Sequence, residues 1–169
     1  MFKSGEAIVH PVRGAGVVEG IVERTWRGDH SLYYRIKLLN QPTSSLMIPI
    51  KAADSIGLRR AISSADLKSV WDILYSHPHS LPSNHKKRYQ ILEDKLYAGD
   101  IWQVAEAVRD MTWRQQQEGS LTTRGKRMYK EGIKLLAGEI AASQGIELTS
   151  AEMEIRDRLA ESTTPASVA

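Results

Sequence analysis

The apolar residues of this chain change their spacing near residue 54, and this change constrains the fold more than any other feature. Before it, apolar and polar residues alternate in short runs, so that Tyr34, Ile36 and Leu38 share one face of a predicted strand. After it, apolar residues recur at helical spacing, as at Leu67, Val70 and the positions that follow. The two periods predict a β-rich first part and an α-helical second part.

Glycine and proline divide residues 5–51 into four or five short predicted strands. So many short strands can hide an apolar face only by curling into a small barrel. Pro49 has no N–H to donate to a ladder, so it predicts an edge position for the last strand.

Capping residues predict helix starts at Ser63, at Ser83 or Asn84, and at Asp100, and a fourth helix is expected from about Thr122 to Ser143. Thr149, with Glu152 three residues later, forms a capping-box sequence that predicts one more, short helix. Three tryptophans lie in apolar stripes of predicted helices, and we expect their side chains to be in the core: Trp71, Trp102 and Trp113.

The sequence thus predicts an α+β protein in three segments. Residues 1–52 form the small β-barrel and residues 58–161 form an all-α bundle of four to five helices. Residues 162–169 are small and polar and are expected to form a flexible tail.

Composition excludes several classes of function. The chain has no cysteine, which excludes disulfides, thiolate metal ligands and cysteine nucleophiles and suits a reducing cytosol. His77 and His79 lack a third nearby ligand, and no paired carboxylates or nucleophile elbow can be recognised. No apolar window is long enough to cross a membrane. We therefore expect a cytoplasmic non-enzyme without cofactor, metal, membrane or small-molecule substrate.

Basic residues are concentrated in blocks, although the formal net charge is only +3. The run Lys86-Lys87-Arg88 follows the helix start at Asn84, where the helix dipole favours anions instead. Cations at a helix N-terminus form a ready phosphate site. We expect further cations to join them from the fourth helix: Arg124, Lys126, Arg127 and Lys130. An ordinary solvated turn is the alternative.

Two stretches of the predicted barrel, residues 22–24 and 46–49, are candidates for strand edges that pair with a partner's strand. Ordinary barrel surface is the alternative there.

Several motifs spread over nearly the whole chain form a joint pattern: residues 2–6, His10-Pro11, Gly14-Ala15-Gly16, Ile48-Pro49 and residues 82–89, 96–111, 125–128 and 135–140. This pattern resembles the CarD family of bacterial transcription regulators. It implies a Tudor-like or SH3-like domain that interacts with RNA polymerase, of the kind also found in transcription-repair coupling factors. That domain is expected to grip the β subunit by strand pairing, while the helical domain lies on promoter DNA at the upstream edge of the bubble.

The resemblance also implies roles for particular residues. Arg24 falls on a polymerase contact, and Met47 falls where relatives can have a second arginine. The implied DNA contacts are His85, Lys86, Lys87, Arg88 and Lys126. His85 stands where relatives typically have a tryptophan wedge, and it buries far less surface than an indole.

These features predict a monomer, associated with the nucleoid through RNA polymerase, that stabilises the open promoter complex. The alternative is a polymerase-bound adaptor whose helical domain docks another protein instead of DNA. The basic blocks favour DNA, whereas His85 favours the adaptor.

Overall fold

The computed structural model describes residues 1–163 of the 169-residue chain. Its five strands are β1 (Ala7–His10), β2 (Gly14–Trp26), β3 (Asp29–Leu38), β4 (Ser45–Pro49) and β5 (Arg59–Arg60). They form one antiparallel sheet with the spatial order β4-β3-β2-β1-β5. Among the described residues β4 and β5 share no ladder, so the predicted barrel is open between them.

Helices make up the rest of the chain. A 3-10 turn, Ile50–Ala52, and the short helix α1 (Ala53–Ile56) connect β4 to β5. The remaining helices are α2 (Leu67–Tyr75), α3 (His85–Leu96), α4 (Ile101–Glu118), α5 (Thr123–Gln144) and α6 (Leu148–Thr163). The predicted α+β fold with a Tudor-like start is confirmed. In the described part of the chain, no helix has both the length and the apolar character that a membrane span requires.

The alternation of β3 sets the two faces of the sheet. Tyr34, Ile36 and Leu38 are buried, while Arg35 and Lys37 point outward. Pro49 ends β4, which is an edge strand as predicted.

The sheet continues beyond residue 52, where the alternating pattern of the sequence ends. Arg59 and Arg60 pair with Val9 and Ile8 of β1, and Leu58 is buried in the sheet core. A strand of two residues carries no alternation, so the sequence pattern could not indicate it.

Helices α3, α4 and α5 begin where they were predicted, whereas α2 begins at Leu67, later than the start predicted at Ser63, with Asp66 as its N-cap. Asn84, Asp100 and Thr122 each accept a hydrogen bond from the backbone N–H three residues later. Gly119 and Gly145 end α4 and α5 with φ of 78° and 66°, in the left-handed region that glycine tolerates.

The last helix differs from its prediction. α6 begins at Leu148 and runs for 16 residues, so Thr149 lies inside the helix instead of capping it. Ala151, Ile155 and Leu159 are buried at helical spacing against the bundle, and this packing outweighs the local cap signal. Ser162 and Thr163, predicted to belong to the tail, end this helix; the rest of the predicted tail lies outside the described residues.

The buried residues form two separate clusters, one inside the sheet and one among the helices. The two parts meet where α5 packs against β1 and β2. The predicted core position is confirmed for Trp71, which is 9% exposed. It is wrong for Trp102 and Trp113, which are 42% and 38% exposed.

Candidate functional surfaces

The β2–β3 hairpin extends beyond the rest of the sheet. β2 pairs with β3 as far as Trp26, whereas its ladder with β1 ends at Val17. β4 covers β3 only from Tyr33 onward. Residues 20–32, which we call the hairpin arm, therefore have edges that no other strand of the described chain covers. These edges offer unpaired backbone groups to a partner strand.

The tip of the arm is a two-residue turn. Arg27 and Gly28 have φ of 49° and 85°, the pattern of a type I′ turn that matches the twist of a hairpin. Trp26 beside the turn is 74% exposed, with the guanidinium of Arg27 5.8 Å from the centre of its ring. The arm thus presents a large apolar side chain to solvent.

Arg24 and Met47 lie on the same, outward face of the sheet. Arg24 is opposite Ser31, and Met47 is opposite Arg35, with the Val22–Tyr33–Pro49 row between them. Strand spacing places the two Cα atoms about 17 Å apart. Arg24 is exposed, and no carboxylate of the described residues is within ion-pair distance of it.

The start of α3 presents two lysines and a histidine to solvent. The side chain of Asn84 accepts from the backbone N–H of Lys87 at 3.1 Å and so fixes the first turn. His85, Lys86 and Lys87 are all exposed. The ring of His85 makes an edge contact with that of Tyr89, with the centroids 6.4 Å apart.

Arg88 differs from its sequence-based assignment. It is 6% exposed, and one guanidinium nitrogen donates to the carbonyls of Pro82 and Ser83, each at 3.1 Å. Its guanidinium also lies 5.2 Å from the centre of the Tyr89 ring. Arg88 therefore holds the loop before α3 in place, and one of its guanidinium nitrogens is occupied by that loop.

The start of α5 lies beside the start of α3. The phenol of Tyr89 hydrogen-bonds the hydroxyl of Thr122, the N-cap of α5. Arg124 stacks over the Tyr89 ring at 4.6 Å and pairs with Glu93 at 3.6 Å. The expected joining of the two basic segments in space is thus confirmed for Arg124, and Lys126 is exposed in the same first turn of α5.

These contacts change the acidity of Tyr89. The hydrogen bond with Thr122 lowers the pKa of the Tyr89 phenol, and the guanidinium of Arg88 lowers it further, while burial opposes both. The net effect of these neighbours is a pKa of the Tyr89 phenol below its ordinary value.

The two helix starts carry three exposed lysines, Lys86, Lys87 and Lys126. The helix dipole adds positive potential at each of the two N-termini. Among residues 1–163 no group of three or more His, Asp or Glu side chains is placed to hold a metal ion.

Comparison with known proteins bears on both parts of the chain. The family model described as "CarD-like/TRCF RID domain" matches residues 2–62, and that described as "CarD, C-terminal domain" matches residues 69–156. The chain belongs to the CarD family. The Bacillus subtilis (strain 168) protein named "Putative transcription factor YdeB" is 33% identical to it over 149 residues, which are 86% of this chain and 94% of that protein.

Membership of the CarD family makes this a transcription-related protein that interacts with RNA polymerase. The first family match ends at residue 62, just after β5, so it spans the whole sheet. The second begins within α2 and ends within α6.

Proposed function

We propose that this CarD-family protein binds the β subunit of RNA polymerase through its sheet and promoter DNA through the starts of α3 and α5. Bound to both, it stabilises the open promoter complex. The observation that carries the proposal is the hydrogen bond between Tyr89 and Thr122, which brings two helix N-termini and their cations to one surface. The separate sheet offers a second, differently built surface on the same chain.

The hairpin arm supports the polymerase half of the proposal. Its uncovered edges suit addition of a strand from the β subunit, and Arg24 beside them is an exposed cation without an ion-pair partner among the described residues. At Met47 the arginine of some relatives is missing. Arg35 lies directly opposite Met47, so we propose that Arg35 supplies the second cation of the interface. Its ion pair with Glu19, 3.2 Å long, weakens the attraction of Arg35 for the partner.

The helix starts support the DNA half. Lys86, Lys87 and Lys126 are exposed, and Arg88 is omitted from the contacts because its guanidinium is engaged within the protein. Three phosphate contacts imply a log–log salt slope of roughly −3. Binding of such a module to free DNA is weak, and tethering to polymerase raises its effective concentration at the promoter.

His85 is the exposed first residue of α3, and we propose that it stands beside the unstacked bases at the fork. An imidazole has a smaller stacking face than an indole, so we propose a weaker wedge than in relatives with tryptophan. The protein acts as a monomer in the cytoplasm, where polymerase and the nucleoid are found, and it performs no catalysis.

A polymerase-bound adaptor is the second candidate function. It is favoured by His85 in the wedge position and by the engagement of Arg88, which leaves fewer cations for DNA. In that case the helical part would contact a second protein, and the lysines of α3 and α5 would not affect promoter DNA.

Footprinting of a polymerase–promoter complex with and without the protein separates the two candidates. We expect added protection at the upstream edge of the bubble, which disappears as the salt concentration rises. Replacing Lys86, Lys87 and Lys126 by glutamine should abolish that protection and leave polymerase binding intact. Lys68→Gln is the matched control, because Lys68 is an exposed helical lysine paired with Asp72 on α2. Polymerase binding without any added protection would favour the adaptor, and protection that survives the triple substitution would remove these lysines from the proposed DNA contact.

A further inference from the structure

The sheet and the helical part meet at a close approach of backbone to backbone. Gly138 of α5 lies against Ala15 of β2, and a β-carbon placed on Gly138 would be 3.5 Å from the Cβ of Ala15. A bulky side chain at residue 138 would push the helix away from the strand. This contact by itself is apolar and non-directional, so it does not fix how the two parts are rotated about each other.

One buried carboxylate adds direction to this contact. Glu139, the next residue on α5, is 3% exposed, and its two oxygens accept from both terminal nitrogens of Arg59 at 2.7 and 2.9 Å. The backbone N–H of Ile62 also donates to Glu139, at 2.8 Å. A bidentate pair constrains both the distance and the plane of the two groups.

Arg59 connects three parts of the fold through a single side chain. It belongs to β5 at the edge of the sheet, it pairs with α5 through Glu139, and its Nε donates to the carbonyl of Gly99 at 2.6 Å. Gly99 lies in the short connection between α3 and α4. The pair therefore ties the sheet to the helix whose first turn carries Lys86 and Lys87.

We propose that Arg59 and Glu139 form a clasp of positioning residues, which holds the sheet and the helical part in one relative orientation. The proposal rests on the proposed function in one respect: through this orientation the clasp sets where the helix starts lie on the promoter once the sheet has bound polymerase. A buried ion pair contributes little net stability compared with an apolar contact, and its directionality gives specificity of arrangement instead.

Glu139→Gln is the variant that tests the clasp. Glutamine keeps an acceptor for the N–H of Ile62 but removes the charge, and Arg59, whose side chain is 32% exposed, can then turn to water. Glu106→Gln is the matched control, since it removes the Lys95–Glu106 pair, also 2.9 Å long, between α3 and α4 without touching the sheet. Arg59→Lys, which keeps the charge but loses the bidentate geometry, replaces Glu139→Gln should that variant not fold.

The orientation can be measured directly, because the chain has no cysteine of its own. Spin labels on Lys37→Cys in β3 and Gln90→Cys in α3, both exposed positions, report the distance between the two parts by double electron–electron resonance. We expect a narrow distance distribution in the parent and in Glu106→Gln, and a broadened one in Glu139→Gln. A distribution in Glu139→Gln as narrow as that of the parent would overturn the clasp, whatever the protein does at a promoter.

An engineered disulfide supplies the functional test. The separation of 3.5 Å between β-carbons suits a disulfide, so Ala15→Cys with Gly138→Cys should lock the sheet to α5. The Glu139→Gln variant should lose most of the effect on open-complex lifetime while it binds polymerase normally. In the same variant, the oxidised disulfide should restore the effect, and reduction of the disulfide should remove it again. If Glu139→Gln without the disulfide lengthens the open-complex lifetime as much as the parent does, the positioning role is overturned. If the parent itself does not lengthen the lifetime, the proposed function fails, and the distance distribution still decides the clasp.

Discussion

Tyr89 of α3 and Thr122, the N-cap of α5, share a hydrogen bond that joins the first turns of two helices far apart in the sequence. The same threonine hydroxyl accepts from the backbone N–H of Gly125 at 3.1 Å, so one side chain serves both as a cap and as a link. The guanidinium groups of Arg88 and Arg124 lie against the same Tyr89 ring, next to this link.

Removal of the link should lower stability without unfolding the protein. Tyr89→Phe keeps the ring between Arg88 and Arg124 but loses the hydrogen bond, and we expect a loss of about 0.5–1.5 kcal/mol in the free energy of unfolding. Urea titration followed by circular dichroism measures it. Tyr97→Phe, at a half-exposed tyrosine of the helical part, serves as control and should change stability little. Equal losses in both variants would argue against a special role for the Tyr89 hydroxyl.

The sheet should fold alone only when β5 is included. A fragment of residues 1–62 retains Leu58, which is 5% exposed, and the β5 pairing with β1, whereas residues 1–57 lack both. Burial of one leucine is worth about 1.5–3 kcal/mol, so the shorter fragment should melt at a clearly lower temperature. Thermal unfolding of the two fragments is the measurement. Identical melting curves would show that β5 is not part of the folding unit.

The longer fragment should suffice for polymerase binding. Arg24→Glu places a reversed charge on the outward face of the sheet and should weaken binding to the β subunit by about 2–5 kcal/mol if the arginine is buried in the contact. A binding titration with the isolated lobe of that subunit measures the change. Lys51→Glu, an exposed lysine outside the hairpin arm, is the control. Unchanged affinity of the Arg24 variant would remove this face from the proposed interface.

Two glycines of α5 should respond in opposite directions to alanine. At Gly138 the new methyl group meets Ala15 at an ordinary contact distance of 3.5 Å, so the higher helix propensity of alanine should add about 0.5–1 kcal/mol of stability. At Gly132 it would lie 2.7 Å from a methyl of Val108 and 3.2 Å from one of Leu96, and the overpacking should cost about 1–3 kcal/mol. Chemical denaturation of both variants tests the pair, and two changes of the same sign would contradict it.

The residue at position 85 should tune the lifetime of the open complex. A tryptophan there offers a larger face for stacking on unpaired bases, so His85→Trp should lengthen the lifetime up to about tenfold for each 1.4 kcal/mol gained. His85→Ala should shorten it modestly and leave polymerase binding unchanged, since that contact belongs to the sheet. The decay of heparin-resistant promoter complexes measures all three proteins at one salt concentration. Equal lifetimes would place His85 away from the fork and favour the adaptor.

Sequence patterns predicted the elements that bury a regular stripe and carry their own caps. The starts of α3, α4 and α5 and the buried face of β3 follow directly from such local signals. The burial of Arg88 was not predicted, although a signal was present: Arg88 stands four and eight residues before Leu92 and Leu96, in the stripe that α3 buries. Its charge suggested the surface, whereas its position on the helix indicated the core side.

Other features had no local signal at all. β5 is too short to alternate, and Arg59 and Glu139 are charged residues that a pattern assigns to solvent. Their pairing depends on how α5 crosses the sheet, which only the assembled fold determines. The contacts between the sheet and α5 therefore could not be predicted from the sequence.

The separation of 80 residues between Arg59 and Glu139 has a consequence for the order of events during synthesis. A ribosome adds about 5–20 residues per second, so β5 leaves it roughly 4–16 s before its partner on α5 is made. During that interval the sheet is complete in sequence while the guanidinium of Arg59 has no carboxylate from α5 to bind. The nascent chain can thus fold its polymerase-binding part first and acquire its final orientation only when the middle of α5 emerges.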